Sequence, residues 1–204
     1  VAKEIDRAAL MGSPLRDLLD ALEAGRVDSA AGSSAAVTAA MAAALAGMAG
    51  REMEADVAGG AVAQSESLRN RLCGLALQSA AAYRRARDLL DRVSARASHE
   101  LSDEGEDSGV LGPALLEAAD VPLAICEAAG DVVALAVWVA RDGPADRRAD
   151  ALAAAVLAEG AVAAAAELVH VNLAVMPGDE RAERARQLVD AAESARRTLA
   201  TGES

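Results

Sequence analysis

Apolar positions recur at helical rather than alternating spacing along the chain, and turn-forming residues cut the pattern into about six segments. The first runs from Pro14 to about Gly25, with Ser13 as N-cap and Pro14 at the first helical position. The second runs from Ser29 to about Val57; it opens Ala30-Ala31-Gly32-Ser33-Ser34, and its body is almost wholly Ala, Leu, Met and Gly. A segment this small and apolar on every side predicts a central helix. From about Ala61 to Ser98 the pattern is amphipathic, with Leu68, Leu72, Leu75, Leu89 and Val93 set against many Arg, long enough for roughly 55 Å of helix. Residues Asp103 to Gly109 read as an acidic, Gly-containing loop. A fourth helix is expected from about Pro113 to Arg141, kinked or restarted at Pro122, and a fifth from about Asp146 to Val175. The last, Asp179 to Leu199, is charged at most positions. No strand pattern survives anywhere in the sequence, so the expected fold is all-α: an up-and-down bundle of about six helices, one domain over residues 1–204.

Composition agrees and adds an assembly. The chain is 53% hydrophobic, with one Trp, one Tyr, no Phe and about a quarter Ala, so its core is aliphatic and its helix propensity high. Four other helices cannot cover two helices that are Ala-rich all round, which predicts a homodimer with a helical interface. A formal charge of -12 excludes a partner bound by phosphate neutralisation, so no nucleic acid is expected. Charges interrupt the Ala-rich stretches and no leader pattern is present, so no membrane association and a cytoplasmic location are expected. Lys3 is the only lysine, which excludes Schiff-base chemistry elsewhere, and the Arg and Ala bias fits a GC-rich bacterial genome. Cys73 and Cys126 read as buried thiols.

Three blocks resemble the cyclodeaminase/cyclohydrolase family, the formiminotetrahydrofolate cyclodeaminases and methenyltetrahydrofolate cyclohydrolases. Val27-Asp28-Ser29-Ala30-Ala31-Gly32-Ser33 stands where that family carries Pro-Thr-Pro-Gly-Gly-Gly-Ser before a long Ala/Gly-rich helix. Ala118-Ala119-Asp120-Val121-Pro122-Leu123 looks like Ala-Ala-Glu-Val-Pro-Leu. The third block runs from Gly143 through Asp150, Glu159 and Val169-His170-Val171-Asn172-Leu173 to Asp179-Glu180. The resemblance implies an all-helical dimer acting on a folate-like small molecule, with a tetrahydrofolate derivative as substrate and no separate cofactor. The departures fall where chemistry is expected. Only Gly32 remains of the Gly run, Ser79 to Tyr83 replaces an Asp-x-x-x-Phe signature, and Pro144 to Asp150 keeps only the final Asp of Asn-Pro-Asn-x-x-Ser-Asp.

Asp150 is the candidate catalytic residue, since opening a methenyl bridge needs water deprotonated beside a cationic carbon; a first-turn carboxylate also simply favours the helix dipole. Gly32 and Ser33 are candidate substrate contacts at a helix N-terminus. Ser79 and Tyr83 lie one turn apart beside Arg84 and Arg87, and Arg147 and Arg148 form a second possible anion clamp. Asn172 is a further substrate candidate or a helix-packing hydrogen bond. It lies 22 residues beyond Asp150, roughly 33 Å along a straight helix, so the two serve separate sites or meet across an antiparallel dimer. His170 could titrate near neutrality, or sit in an ordinary pair with Glu167. His99 reads as solvated, Glu159 as structural, and no grouping has metal-ligand spacing. Three functions are open: a folate one-carbon enzyme, the same scaffold acting on another heterocycle or imine, and a non-catalytic helical dimer that binds a partner. An enclosed polar pocket that still contains Asp150 but cannot fit a pterin would favour the second; a pocket filled by the methyls of Ala30 and Ala31, with Asp150 facing bulk water, would favour the last.

Overall fold

Each long run of Ala, Leu and Arg is helical, as the propensities of these residues require. The computed structural model describes residues 14–25, 27, 30–97, 104–174 and 176–201. Its elements are α1 (Leu15–Glu23), α2 (Ala30–Gly50), α3 (Ala55–Ala97), α4 (Glu104–Asp142), a 3-10 turn (Ala145–Arg147), α5 (Arg148–Asn172) and α6 (Glu180–Thr201). Among the described residues there is no strand, and the fold is the expected all-α bundle. Lys3, His99, the cap expected at Ser13 and the expected helix start at Ser29 lie outside the described residues.

Two expectations are corrected and a third is narrowed. The second helix stops at Gly50, short of Val57, because the chain reverses over Arg51–Glu54: Met53 N–H donates to the Gly50 carbonyl at 3.2 Å, and Val57 and Ala58 N–H then start α3 on the Glu54 carbonyl. Residues 104–109 open α4 instead of forming a loop. Each Gly in a helix costs only about 1 kcal/mol relative to Ala. Finally, α4 runs through Pro122 without a restart. Proline removes the N–H that would bond the carbonyl four residues back, and that carbonyl, of Ala118, accepts instead from Asn172 Nδ2 on α5 at 2.8 Å.

α2 is the hub. It packs against α3, α4 and α5, while α6 lies over α4 and α5. Its buried residues cover a broad face and are almost all Ala or Gly, which allows this close approach. A Cβ on Gly47 would lie 2.0 Å from Ser65 Oγ, so only glycine fits where α2 and α3 cross. Two buried hydroxyls tie the pair together: Ser65 donates to the Ala43 carbonyl at 2.9 Å and Ser33 to the Ala76 carbonyl at 3.1 Å. The largest fully buried side chains are aliphatic, among them Leu72, Ile125, Val132 and Val162. Cys126 joins them, donating to the Val162 carbonyl, and burial pushes its thiol up to about 12. Cys73 is half-buried, and both cysteines are free thiols.

By length and composition, Ala30–Gly50, Ala118–Asp142 and Ala145–Asn172 are apolar enough to cross a membrane, contrary to the expectation that charges break every such stretch. They are the helices that pack on one another in the core. The third leaves the most outside the bundle, with 44% of its apolar window buried.

Candidate functional site

A cleft of about 350 Å³ opens where one end of the bundle gathers the start of α2, the middle of α3 and α4, and the end of α5. The turn after α1 closes one side: Gly25, at φ +63°, takes the left-handed conformation that ends the helix, and Val27 follows it into the wall. Ala30 and Ala31 place the first turn of α2 against the cleft, with no acidic residue in that turn. From α3 come Ser79, Ala82, Tyr83 and Arg87, spaced at one helical face. Ala118, Val121 and Pro122 of α4 and Leu168, Val171 and Asn172 of α5 complete the lining.

The polar groups follow from these positions. Ser79 is 4% exposed, at the depth of α3 against the core. Tyr83 is 45% exposed and Arg87 is exposed, so the phenol and the guanidinium stand toward the opening. Asn172, the last residue of α5, has its amide N–H committed to the Ala118 carbonyl, leaving its carbonyl oxygen as the available acceptor. Among the lining residues only Tyr83 and Arg87 are titratable, and none is a carboxylate. Among the described residues the cleft therefore offers flat apolar walls, a cation, two hydroxyls and an amide: features for holding a planar, anionic or hydrogen-bonding ligand.

The sequence candidates divide between the two ends of α5. Ser79, Tyr83 and Asn172 come together in the cleft, as does Arg87. Gly32 and Ser33 are buried and do not line it: the Ser33 hydroxyl faces α3 and is bonded to Ala76, while Ala30 and Ala31 occupy the wall. Asp150, Arg147 and Arg148 lie at the start of α5, away from the cleft. There Arg147 donates to Glu52 of the α2–α3 turn at 2.5 Å and stands 3.9 Å from Asp150. The guanidinium holds the Glu52 carboxyl below its ordinary value, and Asp150 keeps an accessible carboxylate, 40% exposed. His170 is half-buried on α5 outside the lining. Glu159 pairs with Arg196 and so ties α6 to α5. Arg84 is half-buried beside Tyr83. Among the described residues no group of three His, Cys, Asp or Glu side chains is arranged to hold a metal ion.

Sequence reasoning missed the apolar half of the cleft, Val27, Val121, Leu168 and Val171, because such residues look like core when the partners are unknown. It also missed the clamp behind it. Arg181 of α6 bonds Asp179 through Nε and a terminal nitrogen, each at 2.9 Å, and reaches Asp120 of α4 at 2.7 Å.

The formiminotransferase-cyclodeaminase family matches residues 14–191 of the chain. A crystal structure of formiminotetrahydrofolate cyclodeaminase from Thermotoga maritima is similar in fold, with a TM-score of 0.72 over 93% of both chains at 21% identity. No curated protein matches the sequence significantly.

Proposed function

Because the chain belongs to the formiminotransferase-cyclodeaminase family, we propose that it is a cytoplasmic folate one-carbon enzyme of the methenyltetrahydrofolate cyclohydrolase or formiminotetrahydrofolate cyclodeaminase type, working as a homodimer without a separate cofactor. The observation that carries this reading is the cleft itself, in which the family-like segments at Ala118–Pro122 and Leu168–Asn172 face Ser79 and Tyr83. Its volume, about 350 Å³, falls within the roughly 300–1,000 Å³ of small-molecule sites. Val121, Pro122 and Leu168 suit a flat heterocycle. Arg87 and the α2 N-terminus supply local positive potential for a carboxylate on a protein of charge -12.

Hydrolysis at a methenyl carbon also needs a base, and among the described lining residues there is no carboxylate. In this reading it comes from Asp150 of the partner subunit. Positions 150 and 172 are equidistant from 161, so α5 helices packed antiparallel about Gly160 and Ala161 bring Asp150 of the partner subunit level with Asn172. At 100° per residue both positions lie on the same flank of the outer face of α5, so a two-fold axis puts them on one side of the helix pair. Asp150 then accepts the proton of the attacking water, with the Arg147 guanidinium 3.9 Å away. The methyls of Ala30 and Ala31, in place of glycines, favour a second reading in which the scaffold takes a different heterocycle or imine.

Titration with methenyltetrahydrofolate tests the first reading. Saturable binding is expected, weakened about tenfold by Arg87→Ala through loss of a charge-assisted bond, while Asp150→Ala abolishes hydrolysis and leaves binding largely intact. Absence of saturable binding at millimolar ligand overturns it.

A further inference from the structure

We propose that Pro122 is a positioning residue: by denying the Ala118 carbonyl a helical partner, it fixes the Asn172 amide so that the Asn172 carbonyl oxygen faces the cleft and accepts an N–H from a heterocyclic ligand. The inference rests on the folate-type reading for the identity of the ligand, but its geometry stands apart from it.

In an uninterrupted helix the N–H of residue 122 bonds the carbonyl of residue 118. Proline has no N–H, and its ring pushes that carbonyl off the helix ladder. A carbonyl left in a half-buried place needs a donor, and the donor here is Asn172 Nδ2 at 2.8 Å. Only the amide nitrogen of Asn172 can serve, since the amide oxygen is itself an acceptor. The bond therefore selects one of the two otherwise interchangeable orientations of the side chain and leaves Oδ1 as the atom free to meet a ligand. Ala118, Pro122 and Asn172 all line the cleft, and Pro122 is buried, so the device stands in the wall of the site. A bond that only joined α4 to α5 could be made from anywhere along their contact.

The consequence is a rule of selection. A wall fixed as an acceptor takes a planar ring that presents an amide or amino N–H, as the aminopyrimidinone edge of a pterin does. It disfavours a ring edge that presents only acceptors, because two oxygens or an oxygen and a ring nitrogen would then face one another unpaired.

Three variants test this. Pro122→Ala restores a donor to the Ala118 carbonyl and should keep or raise the melting temperature while releasing the Asn172 amide. Nitrogen-edited NMR should then show faster exchange of the Asn172 side-chain protons than in the wild type. Affinity for methenyltetrahydrofolate should fall about five- to tenfold, the worth of one oriented hydrogen bond. Asn172→Leu should lower the melting temperature by orphaning the carbonyl, and adding Pro122→Ala should restore it. Unchanged exchange of the Asn172 amide in Pro122→Ala overturns the positioning role, and so does unchanged affinity in that variant. If the wild type binds no methenyltetrahydrofolate, the folate reading falls, and amide exchange with the rescue of Asn172→Leu still decides whether Pro122 sets the amide.

Discussion

Asp179 is one carboxylate with two duties. Its Oδ1 accepts the backbone N–H of Arg181 at 2.9 Å, capping α6, and the Arg181 guanidinium grips both oxygens while reaching across to Asp120. The side-chain bonds from Arg181, with its backbone N–H second, hold the Asp179 carboxyl down to about 2, from 3.8. A carboxyl depressed in the folded state stabilises the fold above its unfolded value and loses that contribution as pH falls through the folded one. Urea midpoints measured in steps from about pH 4 to pH 2 should therefore fall steeply in the wild type and less steeply in Asp179→Asn. Equal slopes would show that the clamp does not couple to folding. The start of the helix was legible, since the charged last segment begins at Asp179. The reach of Arg181 to a residue 61 positions earlier was not, because nothing in a sequence says which surface α6 lies upon.

Between elements, closeness matters more than hydrophobicity. α2 was readable as a central helix because its small residues continue around its circumference, but its end was not, because Arg51 to Glu54 contain no proline or glycine to mark the reversal. The reversal is enforced by packing. Gly50 would place a Cβ 2.9 Å from that of Ala61, and Gly47 one 2.0 Å from Ser65 Oγ, so α3 must lie directly against α2 once the turn is made. Gly47→Ala is expected to destabilise the protein by about 1–3 kcal/mol through overpacking, although alanine is the better helix former. Ser65→Gly in the same chain should recover part of the loss, read from chemical denaturation at constant slope. A stabilised Gly47→Ala would mean that the helices stand further apart.

For the molecule as a whole, the outward face of α5 is the unfinished part. Ala153, Val156, Leu157, Gly160, Ala163 and Ala164 are exposed, with Val156 at 54% and Leu157 at 41%. No charge breaks this stripe between Asp150 and Glu167 except Glu159, which turns toward α6. The dimer proposed above closes the stripe on itself, so the wild type should sediment at twice its 20.6 kDa chain mass. Gly160→Arg should give a folded monomer, since nothing stands within 4 Å of a Cβ added there. It should also abolish hydrolysis by separating the two ends of the composite site; a fully active monomer would refute the shared base. All of the class of fold followed from local chemistry: a chain rich in alanine and poor in aromatic and β-branched residues forms helices, and helices without a polar side must pack on several neighbours. The same chemistry separated Asp150 from Asn172, because rise per residue is a property of the backbone. What required the folded chain was adjacency between distant segments. Asn172 meets Ala118, Arg181 meets Asp120, and Tyr83 and Val121 line one cleft because each helix leaves several faces equally able to be buried, and only simultaneous packing selects among them.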